Sequence, residues 1–479
     1  MTIDRRAFLA AAALAPVSRM ARAKEKPAPA TERPPRSARC FSSAAVEATI
    51  EQVRRRLAGS SATGDRLASM FARCLPNTLD TTVQLGGTAA RPDTFVITGD
   101  INAMWLRDST AQVWPYLGLM RDDAPLQRLI AGVVNRQTDC ILLDPYANAF
   151  NQGPTPSVDF AGDETEMKAG IHERKWELDS LCSAIRLAHG YWRASGDVTP
   201  FDARWRAASR AIVATMRQQQ RKDGAGPYRF QRRTAWNPDS VPGNGYGNPV
   251  RPVGLIVSLF RPSDDAAIYP FLVPANMFAV VALRQLATMH QAIAGDGAFA
   301  AECRALAEEV ASALRRHALV THPRAGRVWA YEVDGYGNAL FMDDANVPSL
   351  LSLPYLGWCA RDDADYRRTR RLILSDDNPW FHRGRAAEGI GSPHTPGQRI
   401  WPIALVMRAL TSGCEAEIAA QLRLLGATDA GTGFMHEAFD ADDPAKFTRP
   451  WFAWANTLFG ELILLLLKER PRVFDRLRG

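Results

Sequence analysis

Twelve stretches of this chain repeat apolar residues at helical spacing: 43–57, 63–75, 103–120, 124–139, 176–194, 201–219, 273–294, 298–317, 345–357, 400–411, 414–425 and 450–468. Each has one side that must leave water, and a dozen such elements satisfy that need by packing on one another. Between them, Gly- and Pro-rich stretches at 144–158, 236–254, 376–399 and 426–448 are long for ordinary connections and are expected to have a role. Short strand signals, Thr94-Phe95-Val96-Ile97 and Val328-Trp329-Ala330-Tyr331, sit inside loops without a sheet pattern. Helices joined by alternately short and long loops predict an all-α chain of helical hairpins arranged in a ring, an α/α toroid whose long loops form a pocket on one face. The alternatives are an irregular all-α domain and a solenoid, although self-similarity at a repeat of roughly 34–47 residues is missing.

The front of the chain reads as address rather than fold. Arg5-Arg6 precede an apolar run from Ala7 to Val17, and Ala21-Arg22-Ala23 follow as a small-x-small cleavage pattern. Residues 1–23 are therefore expected to be an export signal of twin-arginine type, giving a periplasmic or otherwise exported chain beginning near Lys24. An uncleaved anchor is the alternative. The run is about half of the ~20 residues that span a bilayer, so no stable membrane insertion is expected after cleavage. Residues 24–39 are rich in Pro, Lys, Ala and Arg and predict a solvated linker; 40–479 predict a single domain. The net charge of +7 is concentrated at this end, where nine basic side chains face three acidic ones in residues 1–39. A near-neutral body excludes an electrostatic footprint for nucleic acid. The seven cysteines are scattered singly, which fits neither a zinc ribbon nor a dense disulfide framework; most are expected to be small buried apolar residues.

Five segments gather polar and aromatic side chains near predicted helix starts. In residues 98–112, Asp100 is placed to cap a helix starting near Asn102, with Trp105, Arg107 and Asp108 in its first turns. Arginine and carboxylate together hydrogen-bond vicinal hydroxyls, and an indole stacks on the apolar face of a pyranose, so such a helix start suits a sugar. The plainer reading is a cap with a local ion pair on a surface helix. In Arg261-Pro262-Ser263-Asp264-Asp265-Ala266, one of two adjacent carboxyls is expected to have its pKa raised by its neighbour and by burial, as a general acid requires; an ordinary turn is the alternative. In residues 431–440, Glu437 stands between His436 and aromatics as a base to activate water. No second histidine follows at zinc-protease spacing, so no metal site is expected. Residues 389–396 and 173–180 add His394 and Glu177 as candidate sugar contacts.

Together these segments resemble glycoside hydrolase family 125, whose characterised members are exo-acting α-1,6-mannosidases. The strings TGDINAMWLRDSTAQVWPYL, RPSDDA, GIGSPHTPGQRIWPIAL and GTGFMHEAFD with FTRPWFAWANTLFGELI carry the resemblance, which runs from about Cys40 to the end. It implies an (α/α)6 barrel, hydrolysis without metal or cofactor, and inversion at the anomeric carbon of an α-mannoside oligosaccharide or N-glycan fragment. It also implies Asp264 as acid and Glu437 as base. Trp105, Arg107, Asp108, Asn276, His394 and Arg449 match motif positions and are expected to contact sugar. The departure is the exported front end. Two other classes stay open: a periplasmic mannoside-binding protein, needing the aromatics but not both carboxylates, and a lyase or epimerase on the same toroid, using Tyr269 or His394.

Overall fold

The computed structural model describes residues 32–478. The expected signal, 1–23, and the linker to residue 31 lie outside the described residues. The described remainder of the expected linker is mostly exposed, but two of its arginines tie it to the body: Arg33 donates to Glu47 and Asp80, and Arg39 to Glu47.

Among the described residues are fourteen α-helices: α1 Ala44–Leu57, α2 Ala62–Cys74, α3 Asn77–Thr81, α4 Leu106–Val113, α5 Ala124–Leu143, α6 Leu178–Ser195, α7 Ala203–Gln218, α8 Val273–Met289, α9 Gly297–His317, α10 Leu353–Leu356, α11 Ala364–Ile373, α12 Pro402–Leu410, α13 Glu415–Ala427 and α14 Ala453–Glu469. Local chemistry sets their starts. Ser43, Asp123, Asp202, Asp296 and Asp363 each cap a following backbone N–H, and proline occupies the first turn of α5, α8 and α12.

One run of packed neighbours passes from α14 to α4, α6 and α8; α10 follows on α8, and α12 returns to α14. Behind this run, α2 packs on α14, α5 on α6, α9 on α8 and α13 on α12. The two layers explain the apolar patterns: α8 and α14 are buried on nearly every side, whereas α1 buries only Val46, Ile50, Val53 and Leu57.

The structure departs from expectation at several places. The pattern at 345–357 yields only α10, because Asp343 accepts from Leu350 and Leu351 N–H, and Asp344 from Asn346 N–H, which competes with helical bonding. Helix α11 was hidden by its arginines; its buried side is Tyr366, Thr369, Leu372 and Ile373. Both strand signals pair into two-stranded hairpins, Pro92–Val96 with Val83–Gly87 and Gly326–Trp329 with Leu319–His322. The helix expected near Asn102 begins at Leu106, and Asp100 is not its cap.

Candidate active site

Several of the long loops converge where inner helices begin. Trp105 precedes α4, Trp401 precedes α12 and Phe452 precedes α14, and these three residues line one cavity. Small sheets hold the entering chain: Met104–Trp105 pairs with Ala149–Phe150, and Arg399–Ile400 with Phe439–Asp440. Arg107, Asp108, Asp264, His394, Glu437 and Arg449 also line this cavity, so with Trp105 seven candidates meet although their segments lie far apart in sequence. A wider groove beside α12 and α13 carries Glu388 and Glu417, but both are taken up by arginines.

Arg107 is the hub of one wall. It is buried, so the reading of a surface ion pair does not hold. Its Nη1 donates to Glu177 Oε2 at 2.7 Å and Asp179 Oδ2 at 3.3 Å, while Nη2 lies 3.3 Å from Asp264 Oδ1 and from Asp108 Oδ2. One guanidinium among four carboxyl groups does not balance their charge, and each carboxylate raises the pKa of its neighbours. Burial outweighs the pull of Arg107 and lifts the carboxyls of Asp108 and Asp179 each to about 6.

Asp264 and Asp265 have opposite surroundings. Asp264 sits in the left-handed region, φ 65°, which is costly for a residue with a side chain and is concentrated at functional sites. The turn is pinned: Asp264 N–H donates to Arg261 O, Arg261 N–H to Asp265 O, and Lys175 Nζ to Asp264 O at 2.8 Å. The Asp264 side chain keeps 26% of its surface exposed toward the cavity. Burial works to raise its carboxyl, but Arg107, a hydrogen bond with Glu177, Lys175 and His394 together hold it below the ordinary carboxylate range. Asp265 is buried, accepts from the Ser263 hydroxyl and faces His394 Nδ1 at 3.4 Å.

Burial lowers the His394 pKa, but Asp265, Asp264 and Glu437 outweigh it and raise the imidazole to about 9. His394 is thus a cation at neutral pH. Because the folded pKa lies above the unfolded value of about 6.5, its contribution to stability is full below that pH and is lost as pH rises through about 9. The thermal midpoint of wild type is therefore expected to fall more between pH 6.5 and 9.5 than that of His394→Gln. Parallel profiles from thermal melts would contradict this role.

Glu437 lines the same cavity. Its Oε2 accepts from Thr448 Oγ1 at 2.8 Å and its Oε1 lies 3.0 Å from Arg449 Nε. Arg449 also reaches Asp100 Oδ1 at 2.7 Å, which accounts for Asp100 better than a cap. His436 turns away, stacked on Phe447 with ring centroids 4.0 Å apart. The indole N–H of Trp105, a residue that lines the cavity, is buried without a protein acceptor.

Asn276 is a correction. It is fully buried in α8, where its amide bonds Ile256 N–H and the carbonyls of Ile256 and Leu272, leaving nothing for a sugar. Among the described residues no group of three or more His, Cys, Asp or Glu is arranged to hold a metal ion, and all seven cysteines are free.

Residues 64–464 match the family of metal-independent α-mannosidases, GH125. The chain belongs to this family. It is 42% identical, over 464 residues, to the Meiotically up-regulated gene 157 protein of Schizosaccharomyces pombe, covering 93% of this chain and 90% of that protein. A metal-independent α-mannosidase structure from Streptococcus pneumoniae, a non-productive substrate complex with α-1,6-mannobiose, superposes with a TM-score of 0.86 at 42% identity, covering 90% of this chain and 100% of that one. A bacterial glucoamylase complexed with acarbose shares the fold alone, with a TM-score of 0.50 at 12% identity over 79% of this chain and 50% of that one.

Reading the sequence of this mannosidase missed Asn346, Trp401 and Trp454 as cavity residues, and Asp179 and Lys175 as partners of the Arg107 wall. Trp401 and Trp454 stood within the segments that carry the resemblance, and that was the signal available. Asn346 lies in the stretch misread as helix.

Proposed function

We propose that this mannosidase releases mannose from the non-reducing end of α-1,6-linked mannosides, such as N-glycan fragments, with inversion, Asp264 acting as acid and Glu437 as base. The observation that carries the reading is that these two carboxyls enter one cavity from separate loops with different partners: Asp264 on a strained turn beside buried carboxyls, Glu437 on Thr448 and Arg449. Asp264 protonates the leaving oxygen. Glu437 takes a proton from the water that attacks the anomeric carbon from the other face, which requires carboxyls about 6.5–9.5 Å apart. Trp105, Arg107, Asp108, His394 and Arg449 surround the terminal sugar. The α-1,6 linkage is supported by the mannobiose of the S. pneumoniae structure.

The inner run of helices with a second layer behind it supports an (α/α)6 barrel, with the catalytic loops at one end. We also propose export, from the order Arg5-Arg6, apolar run, Ala21-Arg22-Ala23. No helix among the described residues is long and apolar enough to cross a membrane. N-terminal sequencing is expected to find a chain starting near Lys24 outside the cytoplasm; an intact N-terminus in the cytosolic fraction would contradict export.

The test of function is incubation with α-1,6-, α-1,3- and α-1,2-mannobiose, with and without EDTA, with released mannose followed by NMR. Turnover of the α-1,6 isomer at the same rate in both conditions is expected. Abolition by EDTA with rescue by a divalent ion, or no release from the α-1,6 isomer, would overturn the reading.

A further inference from the structure

We infer that Lys175 and Asp239 are positioning residues for the general acid: their ion pair holds the carbonyl of Asp264, and with it the turn that aims the Asp264 carboxyl. The inference rests on Asp264 being the acid. A residue with a side chain keeps a φ of 65° only where its surroundings over-determine it, and here the peptide groups on both sides of Asp264 are held. Asp264 N–H donates to Arg261 O at 2.9 Å, which fixes the peptide entering the residue. The Asp264 carbonyl belongs to the peptide leaving it, so a donor on that oxygen fixes ψ. Lys175 Nζ is that donor, at 2.8 Å.

Lys175 is itself fixed. It is 2% exposed, and its backbone N–H donates to Asn148 Oδ1 at 3.0 Å. An ammonium taken out of water needs a charged partner. Asp239 Oδ1 meets it at 2.6 Å, and Glu173 Oε1 lies 3.4 Å away. Asp239 is held in turn by Arg232, whose Nη1 donates to the same oxygen at 2.9 Å and whose Nη2 is engaged by Asp163 and Glu173. The 3-10 turn Asn237–Asp239 also receives Ala266 N–H on Pro238 O at 2.7 Å. One short turn thus braces the chain at the acid, through Lys175 to Asp264 O, and two residues beyond it at Ala266. Neither Lys175 nor Asp239 is among the residues that line the cavity, so both act through Asp264. Without the ammonium the Asp264 carbonyl loses its donor, the turn relaxes toward an ordinary φ, and the carboxyl swings off the line to the glycosidic oxygen.

The experiment measures kcat and KM for α-1,6-mannobiose and for 2,4-dinitrophenyl α-mannoside, whose leaving group needs little protonation. In Lys175→Met the apolar stem stays and the donor goes. Its kcat on mannobiose is expected to fall about a hundredfold, the cost of misplacing a catalytic group by roughly 1 Å, with KM within about twofold of wild type and a loss under about fivefold on the aryl mannoside. Asp239→Ala keeps the ammonium but releases it, and is expected to show the same split at about tenfold on mannobiose. Asp239→Asn, whose amide oxygen still accepts from Nζ, is expected to recover most of that loss. A packing defect alone would lower both substrates alike. Should Lys175→Met fail to fold, the two Asp239 variants decide by the same split, since that side chain is 27% exposed. Equal losses on both substrates, or wild-type kinetics in Asp239→Ala, while Asp264→Asn keeps the split, would overturn the positioning role alone. No split in Asp264→Asn would overturn the acid assignment and this inference with it.

Discussion

Asp264→Asn is expected to lower kcat/KM for α-1,6-mannobiose by about 10³-fold, near the middle of the 10²–10⁴ that general acid catalysis supplies. The amide keeps the size of the carboxyl but has no proton to lend a poor leaving group. The loss on a dinitrophenyl mannoside is expected to be far smaller, because that phenolate departs without help. Asp265→Asn separates the two adjacent carboxyls. Asp265 points away from solvent at His394 and the Ser263 hydroxyl, so its loss disturbs the imidazolium without removing the donor. Steady-state kinetics on both substrates checks the assignment. It fails if Asp265→Asn is crippled while Asp264→Asn is nearly unaffected.

Glu437→Gln is expected to cost as much or more, about 10³–10⁴-fold, on every substrate whatever its leaving group. Water activation is needed however the bond breaks. The amide can still accept from Thr448, and its loss of charge leaves Arg449 with Asp100, so the fold is expected to survive. Kinetics with mannobiose and the aryl mannoside, alongside a melting curve, checks this. A leaving-group-dependent loss would instead place Glu437 on the acid side.

The sequence carried the helical pattern and the segments of the cavity because both are local. Apolar periodicity fixed most helix positions within a few residues, and Trp105, Arg107, Asp108, Asp264, His394, Glu437 and Arg449 stood in recognisable strings. It failed where long-range burial decides. Asn276 sits beside a motif, but α8 is buried on nearly every side, and nothing local says that its amide is spent on the Ile256 backbone. Asp100 looks like a cap until Arg449, remote in sequence, is placed against it. The stretch at 345–357 has a helical pattern, but Asp343 and Asp344 bind the backbone amides in turns. Four carboxyls around Arg107 come from α4, α6 with its cap, and the 261–266 turn, so their crowding is visible only in three dimensions.

The central claim is that Asp264 and Glu437 act from opposite faces of one anomeric carbon. It is tested most directly by ¹H NMR of the first mannose released from an α-mannoside, read before mutarotation. Displacement by water from the face opposite the leaving group predicts β-mannose first, with the α anomer growing in afterwards at the rate of spontaneous mutarotation. α-Mannose as the first product would mean retention, and would contradict an acid and base arranged in this way.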